Sequence, residues 1–217
     1  MKNKNIAINT NKVLLHPGVY CIFTSPYELY IHVNPPKTDP ISYMNIDNLI
    51  TRKLFDIFKP LMTIPTHIFL NKIVYFIIEN HKHCSAPMHI KIHICPNSST
   101  TILAWDYGKG FSMPIERAFL DHESNYISTN RAKSPGLGLS SLLDKMNAYH
   151  NFIKVITRNY LSGYQEFQKI ITWDTSNDDI SNIPLKTLKQ QQSILKKLEK
   201  NKSGSVFLIH MQNESFR

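Results

Sequence analysis

The sequence predicts an α/β fold in which antiparallel strands are interleaved with helices, and three observations predict it. Residues 88–95 alternate apolar and polar side chains, and the turn-forming residues 96–99 lead into a second apolar run at 101–105, the pattern of a hairpin. Residues 66–82 carry Ile68, Phe69, Leu70, Ile73, Val74, Phe76, Ile77 and Ile78 around most of a helical circumference, which marks a buried helix. A helical stretch at 140–150 precedes strand-like runs at 152–157 and 167–173, joined by a Ser162-Gly163 turn, and a second helical stretch at 185–202 precedes the last run at 206–211.

Composition narrows the class. A chain of 217 residues with 42% hydrophobic side chains builds one large domain, or one domain with an extension. The net charge of +9 favours phosphate-bearing partners without choosing among nucleotide, nucleic acid and anionic lipid. No zinc-finger or RNP-like pattern occurs. Cys21, Cys84 and Cys95 lack C-x-x-C spacing, which argues against a disulfide scaffold and for a reducing compartment. The N-terminus has no continuous apolar core of a signal peptide, and the longest apolar run, 73–78, is far short of a membrane span. The expectation is a cytoplasmic protein without a membrane span.

Taken in order, residues 1–12 are polar. Residues 13–33 are rich in β-branched and aromatic residues, broken by Pro17-Gly18 and Ser25-Pro26, and predict two or three short strands. Residues 45–58 place Ile46, Leu49, Ile50, Leu54 and Ile57 at helical spacing, and Pro60 ends that helix. The buried helix follows, with Thr66 as its N-cap and the polar pair Glu79-Asn80 in its last turns. After the hairpin, residues 112–135 read as a long polar loop, and such loops are usually functional or mobile. Residues 174–184 read as loop. Residues 185–202 form a basic helix with six lysines and one Glu, whose bland reading is a solvated face. Gly204-Ser205 precedes the last strand.

Two glycine motifs stand out in a chain with only seven glycines. The first is Asp106-Tyr107-Gly108-Lys109-Gly110, at the end of the apolar run 101–105. An acid at a strand end can accept hydrogen bonds from an amine-bearing ring, and glycine permits close approach of a ligand; many Asp-Gly turns are only turns. The second, Gly136-Leu137-Gly138-Leu139, opens a helix, whose N-terminal N–H groups and dipole suit phosphate; a tight turn entering the helix explains it equally. No P-loop sequence occurs, and Ser141 stands where a dinucleotide-binding fingerprint needs its third glycine.

The order of these pieces resembles the GHKL (Bergerat-fold) nucleotide-binding superfamily, which includes sensor histidine kinases, gyrase B subunits, MutL proteins and heat-shock chaperones. IVYFIIENHKH is similar to the N box, DYGKGF to the first glycine box, GLGL to the second and Gly204-Ser205 to the third, spanning roughly residues 66–211. The resemblance implies a two-layer α/β sandwich, a mixed, mostly antiparallel sheet with helices on one face. It places an ATP-binding domain at 61–217, with a lid about 112–135 and a lysine-rich insertion about 174–203, after an N-terminal extension of residues 1–60. It implies ATP and Mg²⁺ as ligands. Asn80 would hold Mg²⁺, Asp106 would accept from the adenine amino group, and Gly108 and Gly110 would let the backbone approach the base. Gly136, Gly138 and Leu139 would cradle the phosphates and Ser205 would support the adenine contact; charge alone, not the resemblance, picks out Arg131 or Lys133 to reach phosphate from the lid, and a solvated side chain is the simpler reading of both.

Catalysis is less well supplied. The position four before Asn80, where ATPases of the superfamily carry a Glu base, holds Phe76, which cannot accept a proton. Glu79 points about 100° away from Asn80 on a helix and is a poor substitute. Position 83 holds His83 rather than the family's Asp or Lys. No helical histidine serves as the usual phosphoacceptor, since 45–58 has none. The expectation is an ATP·Mg²⁺-dependent switch with weak or absent hydrolysis. The alternatives are an active ATPase or kinase acting in trans, and a basic nucleic-acid-binding protein with a relict pocket. Lys186, Lys189, Lys196, Lys197 and Lys200 would make the nucleic-acid contacts, and a protein partner would engage residues 1–60 or the lid. His81, His83, Cys84, His89, His93 and Cys95 are close in sequence, but alternation along a strand's polar face explains His89 and His93 better than zinc ligation does.

Overall fold

The computed structural model describes residues 12–16, 18–25, 27–34, 52, 56, 68, 70–74, 77–78, 86–95, 98–120, 143, 151–171 and 183–212. These build one eight-stranded sheet in the order β1-β2-β3-β4-β5-β8-β6-β7. The strands are β1 (Lys12–His16), β2 (Val19–Ser25), β3 (Glu28–Val33), β4 (Met88–Cys95), β5 (Ser99–Asp106), β6 (Asn151–Asn159), β7 (Gly163–Ile171) and β8 (Gly204–Gln212). Two helices are bounded, α1 (Ile115–Leu120) and α2 (Leu185–Asn201), and residues 68, 70–74 and 77–78 are also helical.

The N-terminal strands continue the sheet, because β3 pairs with β4 from Glu28↔His93 to Val33↔Met88. The hairpin expected from the alternation at 88–95 is β4–β5, in register from Met88↔Asp106 to Cys95↔Ser99. Residues 90, 92 and 94 of β4 are buried and 89, 91, 93 and 95 are half-buried, as a period of two requires.

The expected layering is corrected. Every described strand pairing is antiparallel, so the sheet is not mixed, and helices cover both of its faces rather than one. On one face, Ile102, Ala104, Ile153, Val155, Phe207 and Ile209 pack with Leu70, Ile73, Val74 and Ile77 of the helical segment and with Ile115 and Phe119 of α1. On the other, Leu103, Trp105, Phe152, Ile156, Val206 and Leu208 pack with Ile194 and Leu198 of α2. The cause is the continuous apolar run of the central strands. All eight residues of β5 are buried, and so are eight of the nine in β8, which one helical layer could not achieve. Residues 185–202 are therefore more than a solvated face: α2 buries Gln191, Ile194 and Leu198 while its lysines stay out.

A second correction concerns the segment read as a polar loop from residue 112. Its first part forms α1, with Ile115, Ala118 and Phe119 buried, and the Phe119 ring stacks on Phe167 of β7 at a centroid distance of 4.4 Å. The rest of the expected lid, 121–135, lies outside the described residues, as does all of 174–182.

Candidate functional site

Where β5, β8, β6 and β7 run side by side, a row of polar residues crosses the sheet. Asp106 lies opposite Ser205, Ser205 opposite Thr157, and Thr157 opposite Gln165. Each is two residues from an apolar member of the first core, namely Ala104, Phe207, Val155 and Phe167, so the row continues that face beyond its apolar layer. Asp106 is 6% exposed, Ser205 4% and Thr157 0%, so each polar group here needs a partner inside the protein or in a ligand.

The partners are specific. Asp106 Oδ1 accepts the Gly108 N–H at 2.7 Å, closing the turn that follows β5. Thr157 Oγ1 accepts the Phe111 N–H at 3.0 Å and donates to the Gly204 carbonyl at 3.1 Å. A hydroxyl carries one proton, so the Ser205 hydroxyl, 3.0 Å from Thr157 Oγ1, is the donor in that pair. Around them, Asn159 Nδ2 donates to the Lys109 carbonyl at 2.8 Å, and Ser162 Oγ to the Phe111 carbonyl at 2.7 Å. Gln165 Oε1 accepts the Ile115 N–H at 2.7 Å. The turn 107–111 is thus fastened along its length to the β6–β7 hairpin.

Two glycines are required by this fastening. Gly110 has φ +68, and a Cβ there would fall 2.2 Å from the Arg158 carbonyl oxygen and 2.8 Å from Thr157 Oγ1. Gly204 has φ +133, and a Cβ would fall 2.4 Å from the Asp106 carbonyl oxygen and 2.5 Å from Leu198 Cδ2. The close neighbours of Gly110 are thus backbone and side-chain atoms of β6.

Of the residues singled out in the sequence, the structure brings together Asp106, Gly108, Gly110 and Ser205. Phe76, Glu79, Asn80, His81, His83, Cys84, Arg131, Lys133, Gly136, Gly138 and Leu139 lie outside the described residues. The described part of the site is therefore the end that the resemblance expects to hold a base: a buried carboxylate and a hydroxyl side by side, with the hydroxyl proton given to Thr157 Oγ1. The residues expected to hold Mg²⁺ and phosphate are not among those described. Sequence reasoning missed Thr157, Asn159 and Gln165. They have no local signature, because their role comes from strand register, although a Thr and an Asn ending an apolar strand were visible.

The opposite face carries a second assembly. Tyr20, His32, His89 and Trp105 are successive cross-strand partners or neighbours on β2, β3, β4 and β5. Their ring centroids are 4.8, 4.9 and 5.1 Å apart in that order. Tyr30 joins them, its hydroxyl 2.5 Å from His89 Nδ1. Burial, His32 and Lys197 together hold the His89 pKa below the usual imidazole value. Nearby, Lys91 pairs with Glu28 and donates to Gln190 Oε1 at 3.2 Å, and Lys186 reaches Glu28 at 3.4 Å, so α2 is tied to β3 and β4. Burial alone would raise the Glu28 pKa, but Lys91 and Lys186 hold it below the ordinary carboxylate value. Lys189, Lys196, Lys197 and Lys200 are exposed on α2. Among the described residues, no helix is long and apolar enough to cross a membrane, and no group of three or more His, Cys, Asp or Glu could hold a metal ion.

No protein-family model, curated protein or solved structure matches the chain.

Proposed function

We propose that the chain binds ATP with Mg²⁺ and acts as a nucleotide-dependent switch with weak or absent hydrolysis. One observation carries the reading: Asp106 and Ser205, from two motifs far apart in sequence, are direct cross-strand partners, and the Asp106 carboxylate also holds Gly108. A buried carboxylate accepts from the exocyclic amine of adenine and repels the carbonyl that guanine carries at that position. Asn80 would supply an oxygen to Mg²⁺, a hard cation, and the 136–139 turn would supply N–H groups to phosphate. Phe76 supplies no base for the attacking water, so binding without efficient turnover follows.

Calorimetry on the full chain with ATP·Mg²⁺ tests this. Binding is expected for the wild type, with GTP weaker. Asp106→Asn retains an oxygen for the Gly108 N–H but loses the carboxylate, and a loss of tenfold or more, about 1.4 kcal/mol, is expected. No binding by the wild type, or unchanged binding by Asp106→Asn, defeats the reading. Turnover that vanishes in Asn80→Ala would instead favour an ATPase or a kinase acting in trans. The exposed lysines of α2 favour a second reading, nucleic-acid binding, whose signature is affinity that falls steeply with salt and with their removal.

A further inference from the structure

Beyond the polar row, the β6–β7 hairpin ends in a turn whose side chains stand in water. Leu161 is 92% exposed, Tyr160 75% and Tyr164 58%. Scattered exposed apolar residues are ordinary, but these three are clustered and their backbone is braced. Asn159 Oδ1 accepts the Leu161 N–H at 2.7 Å and the Ser162 N–H at 3.2 Å, while Asn159 Nδ2 holds the Lys109 carbonyl. Ser162 Oγ donates to the Phe111 carbonyl and accepts from Gln165 Nε2 at 2.9 Å. A turn tied at these points has little freedom to fold Tyr160 and Leu161 back onto the protein. Cations gather at the same end of the sheet. Arg158 lies opposite both Tyr164 and Gly204. Lys200 and Lys202 close α2 just before Gly204, and Lys109 sits in the turn that Asn159 holds. Of the acids nearby, Asp106 is buried and Glu166 is paired with Lys154 at 2.6 Å, which leaves Glu116 and Glu199 open to solvent.

We propose that the β6–β7 tip docks the protein on an anionic lipid surface. Leu161 and the two tyrosines enter the headgroup boundary, and Lys109, Arg158, Lys200 and Lys202 meet the lipid phosphates. Each part suits its place. A tyrosine carries an apolar ring and a polar end, which is what the boundary between headgroups and acyl chains rewards. A small apolar anchor holds a membrane only marginally by itself, and a basic patch beside it supplies the second attraction. The same features fit other occupants less well. Three side chains cover far less than the roughly 1,200 Å² that a stable pairing with a second copy buries. A nucleic-acid strand stacked on Tyr164 would bring its phosphates to Glu166, whose carboxylate accepts the Tyr164 hydroxyl at 2.6 Å, and Leu161 offers no ring to stack on. Docking on lipid needs no bound nucleotide and does not rest on the ATP reading.

The test is co-sedimentation of the full chain with vesicles of phosphatidylcholine, alone or mixed equally with phosphatidylserine. Binding to the mixed vesicles is expected to exceed binding to the neutral ones and to decline as salt rises. Tyr160→Ser and Leu161→Ser in one chain weaken binding by about 10-fold or more, because that apolar area no longer leaves water. Lys109→Gln, Lys200→Gln and Lys202→Gln in one chain weaken binding to the mixed vesicles by about 100-fold. Leu185→Ser, also exposed but at the other end of α2, leaves binding unchanged. All of these side chains are exposed, so circular dichroism should show every variant folded. No binding of the wild type to the mixed vesicles, or unchanged binding by the Tyr160 and Leu161 variant, overturns the proposal. An equal loss on Leu185→Ser overturns it too, by showing that any exposed apolar residue serves. If the vesicles fail and a single-stranded oligonucleotide binds instead, with affinity lost on Tyr160→Ser, the tip belongs to nucleic acid and the proposal falls.

Discussion

Thr157→Val removes one oxygen from the polar row and almost nothing else. Valine has nearly the shape of threonine and the same preference for strands, so neither a cavity nor a change in backbone freedom contributes. The lost hydroxyl leaves the Gly204 carbonyl without its donor and the Phe111 N–H without its acceptor, and Ser205 must find a new acceptor. Leaving a buried polar group unsatisfied costs about 1–3 kcal/mol. The Phe111 contact is only part-buried, so the sum is about 2–4 kcal/mol. That is a large share of the roughly 5–15 kcal/mol typical of a folded domain. Urea unfolding should show a free-energy loss of that size, read as a lower midpoint at unchanged slope, because the exposed surface does not change. Thr157→Ser is the control. It keeps the oxygen, loses one methyl group and should cost only about 0.8 kcal/mol. A valine variant within 0.5 kcal/mol of wild type (roughly the usual scatter for inert sites), or a serine variant worse than valine, refutes the assignment of Thr157 as the residue that fastens the 107–111 turn.

Four further outcomes follow from the same geometry. Gly110→Ala forces a Cβ into the Arg158 carbonyl at positive φ and should be among the most damaging single substitutions, above about 3 kcal/mol by thermal unfolding. Leu198→Ala should cost about 2–5 kcal/mol, because Leu198 is buried in the second core; a value near zero would mean that α2 is not packed on the sheet. Phe119→Ala should cost about 3–5 kcal/mol, which separates a core helix from a freely moving loop. Glu28→Gln should flatten the acid limb of stability against pH. With its folded pKa held below 4.5, Glu28 stabilises the protein above the unfolded value and loses that contribution as pH falls through the folded one.

The strands were legible wherever the side-chain pattern has a cause within the strand itself. β4 shows the clearest case, with Ile90, Ile92 and Ile94 inward and His89, Lys91 and His93 on the half-buried face. The layering is legible too, in a pattern that contradicts the one-sided cover implied by the resemblance. Residues 101–105 and 206–211 are apolar without alternation, and such strands need cover on both sides. Leu188, Gln191, Ile194, Leu195 and Leu198 supply that cover at helical spacing, while the lysines between them drew attention to charge. Residues 112–120 hid a helix in the same way, since Ile115, Ala118 and Phe119 mark one face of a segment otherwise polar. At the site, Asp106, Gly108, Gly110 and Ser205 could be named from short motifs. Thr157 and Gln165 could not, because what makes them matter is the register of β6 against β8 and β7, set by contacts distant in sequence.

The corrected layering also bears on what the site can do. Gly204 has the Asp106 carbonyl on one side and Leu198 of α2 on the other, both closer than a Cβ would allow. The helix on the far face therefore backs the very strand ends that align Asp106 with Ser205. A carboxylate on a strand packed from both sides keeps its position with little freedom left to lose when a ligand arrives, and preorganisation of this kind raises affinity. With cover on one face only, the same pair would sit on a sheet free to flex away from the ligand. If the chain binds ATP as proposed, Leu198→Ala should weaken that binding as well as stability, although Leu198 lies on the face opposite Asp106. Equal affinity in a folded Leu198→Ala chain would show that the helix supports the sheet and not the site.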